Sequence, residues 1–269
     1  MRSGFVSFVG RPNVGKSTLL NAICGKKVSI VSDKPQTTRN RIRGVLTTPE
    51  TQLIFVDTPG IHKAVSALGE RVNATAIEST KDVDVVCLVI DATQTFGTGD
   101  KYVSNHIDMS KAVVILNKID RAEPAKILKQ LQALSSLGAA EYFPISAKTG
   151  DGVAELTAYL ATRMPEGELL YPAEMITETP DSVWIAELVR EQLLENTHEE
   201  LPYSIATRVT EYEPPRIRCE IVVERESQKG MVIGKNGAVG EIKDTSITIG
   251  WERPVYEGAL HALNTNWGS

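Results

Sequence analysis

Along the first 165 positions the apolar residues gather into short runs, Phe5–Val9, Leu53–Val56, Val83–Ile90, Ala112–Leu116 and Tyr142–Ile145, each closed by polar or glycine-containing stretches. Runs of that length, bounded by turn residues, predict strands buried on both faces. Between them the spacing changes. Thr18-Leu19-Leu20-Asn21-Ala22-Ile23 reads as a helix start, and Ala125–Leu137 carries helical periodicity. Strands alternating with helices predict an α/β fold, a mostly parallel sheet with helices on both faces. Ligands of such sheets bind beyond the carboxyl ends of the strands, so chemistry is expected in the residues that follow each run.

Past Met164 the pattern changes. The stretch from Met164-Pro165-Glu166-Gly167-Glu168 to Thr179-Pro180 contains Pro165, Pro172 and Pro180 and little periodicity, which predicts a stiff connector. The expected organisation is a first domain over 1–165, a linker over 166–180 and a smaller α+β domain over 181–269. The second domain opens with a helix from Asp181 to Asn196, with Ile185, Leu188, Val189 and Leu193 on one stripe and Asp181 or Ser182 as N-cap. Strand-like runs follow over Tyr203–Tyr212 and Ile217–Glu226.

After the first strand stands Gly10-Arg11-Pro12-Asn13-Val14-Gly15-Lys16-Ser17, the G-x-x-x-x-G-K-[ST] pattern, between a strand and a helix as that motif requires. Ordinary residue usage produces this string by accident in roughly one chain in a hundred of this size. Glycines let the backbone wrap a phosphate, and N–H groups at a helix N-terminus face an anion favourably. Gly10, Asn13, Val14, Gly15, Lys16, Ser17 and Thr18 are therefore candidate nucleotide contacts. Lys16 would serve the β- and γ-phosphates and Ser17 a magnesium ion.

Asn117-Lys118-Ile119-Asp120 follows the fourth run and selects the base. A carboxylate at Asp120 accepts both the ring N–H and the exocyclic amine of guanine, whereas adenine would leave it unpaired. An ATPase is disfavoured on that ground. Asp57-Thr58-Pro59-Gly60 follows the second run, where Asp57 would hold Mg2+ through water and the Gly60 N–H would sense the γ-phosphate. Ser146, Ala147 and Lys148 fit the loop closing over the guanine. Each of the last three strings is weak alone; their order at successive strand ends gives them weight. The first domain is expected to be a GTPase using GTP, GDP and Mg2+.

With these residues in place, the chain resembles the Era family of bacterial GTPases over nearly its whole length. Gly10–Ser17, Val28–Arg41 and Asp57–Lys63 carry the likeness, together with Glu200-Leu201-Pro202-Tyr203-Ser204 and Glu226-Ser227-Gln228-Lys229-Gly230. The resemblance implies a first switch around Gln36-Thr37-Thr38-Arg39, with Thr38 as metal ligand and Thr37 as the other candidate. Lys16, Thr38, Gly60 and Asn13 form the implied catalytic set. Ile61 occupies the position where many small GTPases orient water with glutamine, and an aliphatic side chain offers no hydrogen bond, so slow intrinsic turnover is expected. Related GTPases with this replacement use an asparagine, here Asn13, to help bind K+; a loop residue tolerant of unusual dihedrals is an equal alternative.

Met231-Val232-Ile233-Gly234-Lys235-Asn236-Gly237 resembles the RNA-clamping loop of a KH domain, with Lys229, Gly234, Lys235, Asn236 and Gly237 as candidate RNA contacts. Beyond Gly237 the chain departs from the family: Thr245–Trp251 is β-branched and a poor helix former. The net charge of −5 averages over any local basic strip, and Arg208, Arg216, Arg218 and Arg225 are interleaved with glutamates. The resemblance implies binding to small-subunit ribosomal RNA near its 3′ end and a role in assembling the small ribosomal subunit. The alternative is a nucleotide-dependent switch whose second domain meets a protein or membrane surface. No apolar segment approaches the ~18 residues of a membrane span and no secretory pattern is present. A cytoplasmic monomer is expected, with peripheral association at the inner membrane face kept as an option. Cys24, Cys87 and Cys219 read as reduced thiols, and the four histidines show no metal spacing.

Overall fold

The structure is a computed structural model that describes residues 1–34, 37–38, 42–61, 73–74, 76–196, 204–213, 216–233, 241–243 and 246–248. By its contacts the chain divides into two units, Met1–Ser29 with Thr38–Glu178, and Ile30–Thr37 with Thr179–Ser269.

The first unit is a six-stranded sheet in the order β2-β3-β1-β4-β5-β6, formed by β1 (Arg2–Gly10), β2 (Ile42–Thr47), β3 (Thr51–Asp57), β4 (Val85–Asp91), β5 (Val113–Asn117) and β6 (Glu141–Pro144). β2 runs antiparallel to β3; every other pairing is parallel. Alternate residues of the apolar runs go to opposite faces. Cys87, Val89, Val113 and Ile115 join the cluster built with α1 (Lys16–Cys24) and Leu156 and Leu160 of α4 (Val153–Arg163). Leu88, Ile90, Val114 and Leu116 join the one built with Val103 of α2 (Thr98–Ser104) and Leu134 of α3 (Pro124–Leu134). Burial on both faces explains runs without polar alternation. After β1 the chain passes to β2 and β3 on one side and later to β4 on the other, so the loop after β1 lies where the strand order reverses.

Residues 166–178, expected in the connector, run along β1, β2 and β3. Gln52 is fully buried; its Oε1 accepts from the Leu170 and Tyr171 amides at 2.8 and 2.9 Å, and its Nε2 donates to Tyr171 O at 2.9 Å. Val45 N donates to Ile176 O at 2.7 Å, and Arg43 pairs with Glu178 at 3.0 Å. The open edge of β2 is thereby covered.

In the second unit α5 (Asp181–Asn196) packs Ala186, Val189 and Leu193 against Ile205, Cys219, Ile221 and Val232. The sheet runs β7-β8-β10-β9, from β7 (Ala206–Glu213), β8 (Arg216–Val222), β9 (Glu241–Lys243) and β10 (Ser246–Thr248), all antiparallel. One sequence expectation changes. The strand expected to Glu226 ends at Val222, and Glu226–Ile233 forms α6. The Arg225 amide donates to Gln228 Oε1 at 3.0 Å and the Gln228 amide to Arg225 O at 3.0 Å, closing a turn that Glu226 favours at the positive helix end. The β-branched stretch after Thr245 supplies β10, paired with β8. Gly234, Lys235, Asn236 and Gly237 lie outside the described residues, as do Gln36, Arg39 and His62.

Candidate functional site

The loop after β1 enters α1 through Gly15, whose φ of 97° is left-handed, and Asn13 also has positive φ, 63°. A Cβ on Gly15 would stand 2.3 Å from Asn117 Nδ2, so only glycine admits that neighbour. Asn117 ends β5 and joins two loops: its Nδ2 donates to Val14 O at 2.9 Å, and its Oδ1 accepts from the Ala147 amide at 2.9 Å. Lys118 turns the chain with φ 68°, and its Nζ donates to Asn13 O at 2.6 Å and pairs with Asp91 Oδ2 at 2.7 Å. Ser146 Oγ donates to Asp120 Oδ1 at 2.7 Å, leaving an exposed carboxylate aimed by a buried hydroxyl. Three loops far apart in sequence are thus braced into one rim. Thr18 lies half-buried on α1, and Lys148 is exposed.

A second convergence lies at the head of α1. Asp57, at the end of β3, is fully buried, and its Oδ2 accepts from Ser17 Oγ at 2.7 Å, Ser29 Oγ at 3.0 Å and Thr38 Oγ1 at 3.3 Å. Ser17 Oγ and Thr38 Oγ1 stand 3.0 Å apart. Asp57 Oδ1 is buried without a hydrogen-bond partner among the described residues. Two hydroxyls beside one carboxylate with an unpartnered oxygen is a donor set that fits a hard, oxygen-seeking cation such as Mg2+. Of the two candidate threonines, Thr38 faces this cluster, while Thr37 Oγ1 donates to Lys34 O at 2.7 Å.

Lys16 Nζ donates to Gly10 O at 3.3 Å and Arg11 O at 3.0 Å. Burial pushes its pKa down to about 8, partly offset by the Asp57 charge. Burial conversely raises the Asp57 carboxyl, against the pull of Lys16 and the three hydroxyls. A multivalent anion over Lys16 and a cation beside Asp57 would relieve both. Gly60 approaches this loop closely: a Cβ there would lie 2.6 Å from Pro12 Cα. Ile61 donates its N–H to Gly10 O at 3.0 Å and is 1% exposed in the core cluster with Val9 and Leu88. The aliphatic residue is there to anchor the loop.

Ser29, Asn21 and Asp91 are residues that motif spacing did not single out. Asn21, one turn after Ser17, accepts from the Val28 and Ser29 amides at 2.8 and 2.9 Å and donates to Ser29 O at 2.8 Å, holding Ser29 to Asp57. A polar residue four positions beyond the loop serine was the only available signal. Among the described residues no cluster of three or more His, Cys, Asp or Glu side chains could hold a metal, and no helix is long and apolar enough to cross a membrane. All three cysteines are free, with thiol pKa values raised by burial.

A Walker-type loop at a sheet switch point, the braced rim of Asn117–Asp120 beside it and a following α+β unit are the parts of a P-loop GTPase with a KH domain. Residues 5–118 match the 50S ribosome-binding GTPase family, and residues 200–247 match the KH domain family. The chain belongs to the Era family. It is 38% identical to a tyrosine-to-alanine variant of Aquifex aeolicus Era bound to GDP·AlF4−, with a TM-score of 0.83 over 88% of this chain and 84% of that one. It is 39% identical to Era in complex with MgGDPNP and nucleotides 1506–1542 of 16S ribosomal RNA, with a TM-score of 0.84 over the same shares.

Proposed function

We propose that the protein binds GTP with Mg2+, hydrolyses it to GDP and phosphate, and engages small-subunit ribosomal RNA near its 3′ end through its KH unit while that subunit is assembled. The convergence of Ser17, Thr38 and Asp57 at the head of α1 carries the enzymatic part. Mg2+, when bound, neutralises charge on the β- and γ-phosphate oxygens. The Ser17 and Thr38 hydroxyls would ligate it, and Asp57 would hold it through water. The amides from Asn13 to Thr18 wrap the phosphates, and Lys16 places its charge between the β and γ groups. The Gly60 N–H donates to the γ-phosphate. Asp120 reads guanine while Ala147 and Lys148 close over the ring. Because the Ile61 side chain is core, no side chain at that position orients water; intrinsic turnover is slow, and Asn13 helps recruit K+ as the supplementary charge.

The KH match over 200–247 and the family's complex with 16S RNA favour RNA over a protein or membrane surface as the partner of the second unit. Lys229 and the Gly234–Gly237 loop are its proposed contacts. This work belongs in the cytoplasm. Two assays on the full-length protein test the reading: GTP turnover with and without Mg2+, in KCl against NaCl, and binding of a 3′-terminal small-subunit rRNA oligonucleotide at stated salt beside Gly237→Asp. Mg2+-dependent turnover, faster in KCl, and RNA binding lost in the variant are expected. GTP binding with no RNA binding by either protein would keep the GTPase and assign the second unit another partner.

A further inference from the structure

α5 is buried on more than the side that packs its own sheet. Trp184, Leu188 and Leu194 form a separate cluster with Ile30, within the unit that holds Ile30–Thr37. Two charged residues of the helix are buried as well, Arg190 at 2% and Glu191 at 4% exposure, and neither lies in the cluster that packs the sheet. Both meet the backbone of the same eight-residue segment. Glu191 Oε1 accepts from the Val31 amide at 2.9 Å, and Arg190 Nη2 donates to Thr37 O. Glu187 steadies the guanidinium, accepting from Nε at 3.1 Å and pairing with Nη2 at 2.5 Å. Buried charges are costly unless fully engaged, so their retention calls for a role.

The oxygen that Arg190 holds belongs to the peptide joining Thr37 to Thr38. A planar peptide leaves only two soft dihedrals per residue, so fixing that oxygen fixes the plane from which Thr38 starts. The Thr38 Oγ1 then stands 3.0 Å from Ser17 Oγ and 3.3 Å from Asp57 Oδ2. We propose that Arg190 is a positioning residue for the metal-binding threonine: by gripping the Thr37 carbonyl it presets Thr38 for Mg2+·GTP. Linkage makes the effect reciprocal, so an occupied metal site tightens the hold of Ile30–Thr37 on α5. The inference rests on the reading of Thr38 as a ligand that engages only when the γ-phosphate is present.

The test is a Mg2+ titration of binding to a non-hydrolysable GTP analogue and to GDP. It uses the full chain, Thr38→Ala, Arg190→Met, Arg190→Lys and the double variant of Thr38→Ala with Arg190→Met. Losing a buried charged hydrogen bond is expected to raise the Mg2+ needed for the GTP analogue about tenfold or more in Arg190→Met, with GDP affinity unchanged. The double variant should bind no more weakly than Thr38→Ala alone, because Arg190 acts through Thr38. Additive losses, or an equal loss for GDP, would overturn the proposal. An unaltered Thr38→Ala would instead overturn the metal-ligand reading on which it rests. If the methionine variant does not fold by circular dichroism, Arg190→Lys decides by the same titration: it keeps a charge beside Glu187 but lacks the planar fork, and loss of GTP-analogue preference is again expected.

Discussion

The candidate site of the first unit and the outer faces of the sheet and α6 in the second handle their polar residues in opposite ways. In the first, Asn117 and Asp57 are buried and braced across long sequence separations: Asn117 ties Val14 to Ala147, and Asp57 gathers hydroxyls from residues 17, 29 and 38. In the second, charges on the sheet and on α6 pair locally and in solvent. Arg208, 69% exposed in its side chain, meets Glu220 at 2.7 Å, Arg218 meets Glu211 at 3.5 Å, and Lys229 meets Glu226 at 2.9 Å. Buried hydrogen bonds are expensive to leave half-made, whereas exposed ion pairs contribute little and exchange readily with water or a partner's charges. A site for one small ligand is preorganised by the first kind. A surface for a long, flexible polyanion suits the second.

The largest effect is expected at Asp120. Asp120→Asn should weaken GTP binding by about 10²–10⁴-fold, the worth of two hydrogen bonds to a charged acceptor, and move preference toward xanthine nucleotides. An unchanged preference in a competition assay would remove Asp120 from base recognition. Next comes Asn117→Ala, which leaves Val14 O and the Ala147 amide unpaired in the interior. We expect a loss of about 2–4 kcal/mol, seen as a melting temperature lowered by roughly 5–15 °C without any ligand present.

Lys16 supplies a pH signature. Its pKa of about 8 in the nucleotide-free fold lies below the ordinary lysine value, so the unfolded chain binds more protons between about 8 and 10.5, and nucleotide-free stability gains with rising pH in that window. Phosphate binding restores the charged form, so GTP binding above pH 8 should take up a proton and weaken by up to tenfold per pH unit. Calorimetry in buffers of different ionisation enthalpy reads that proton directly, and zero uptake at pH 9 would contradict it. The smallest effect is reserved for the second unit: Arg208→Ala should change stability by less than about 1 kcal/mol, measured by urea unfolding.

Sequence by itself determined much of the first unit and the identity of its chemistry. Contiguous strings such as Gly10–Ser17 and Asn117–Asp120 set backbone shape and functional groups together, because neighbours along a chain are neighbours in a turn. Apolar runs located β1, β3, β4 and β5, because strands buried on both faces need no alternation. The second unit's first helix, Asp181–Asn196, was legible for the same local reason. The tertiary structure alone turned the Thr38 hydroxyl toward Ser17 and Asp57 and the Thr37 hydroxyl toward Lys34 O, since adjacent threonines differ only in where the segment around them is held. It alone drew Ser29 to Asp57 and Asp91 to Lys118, pairs that no short spacing connects. It also grouped Ile30–Thr37 with α5 through Arg190 and Glu191, two ordinary helix-surface charges by sequence. Local propensity and pattern act over a few residues, whereas burial and long-range hydrogen bonds exist only once distant segments have packed.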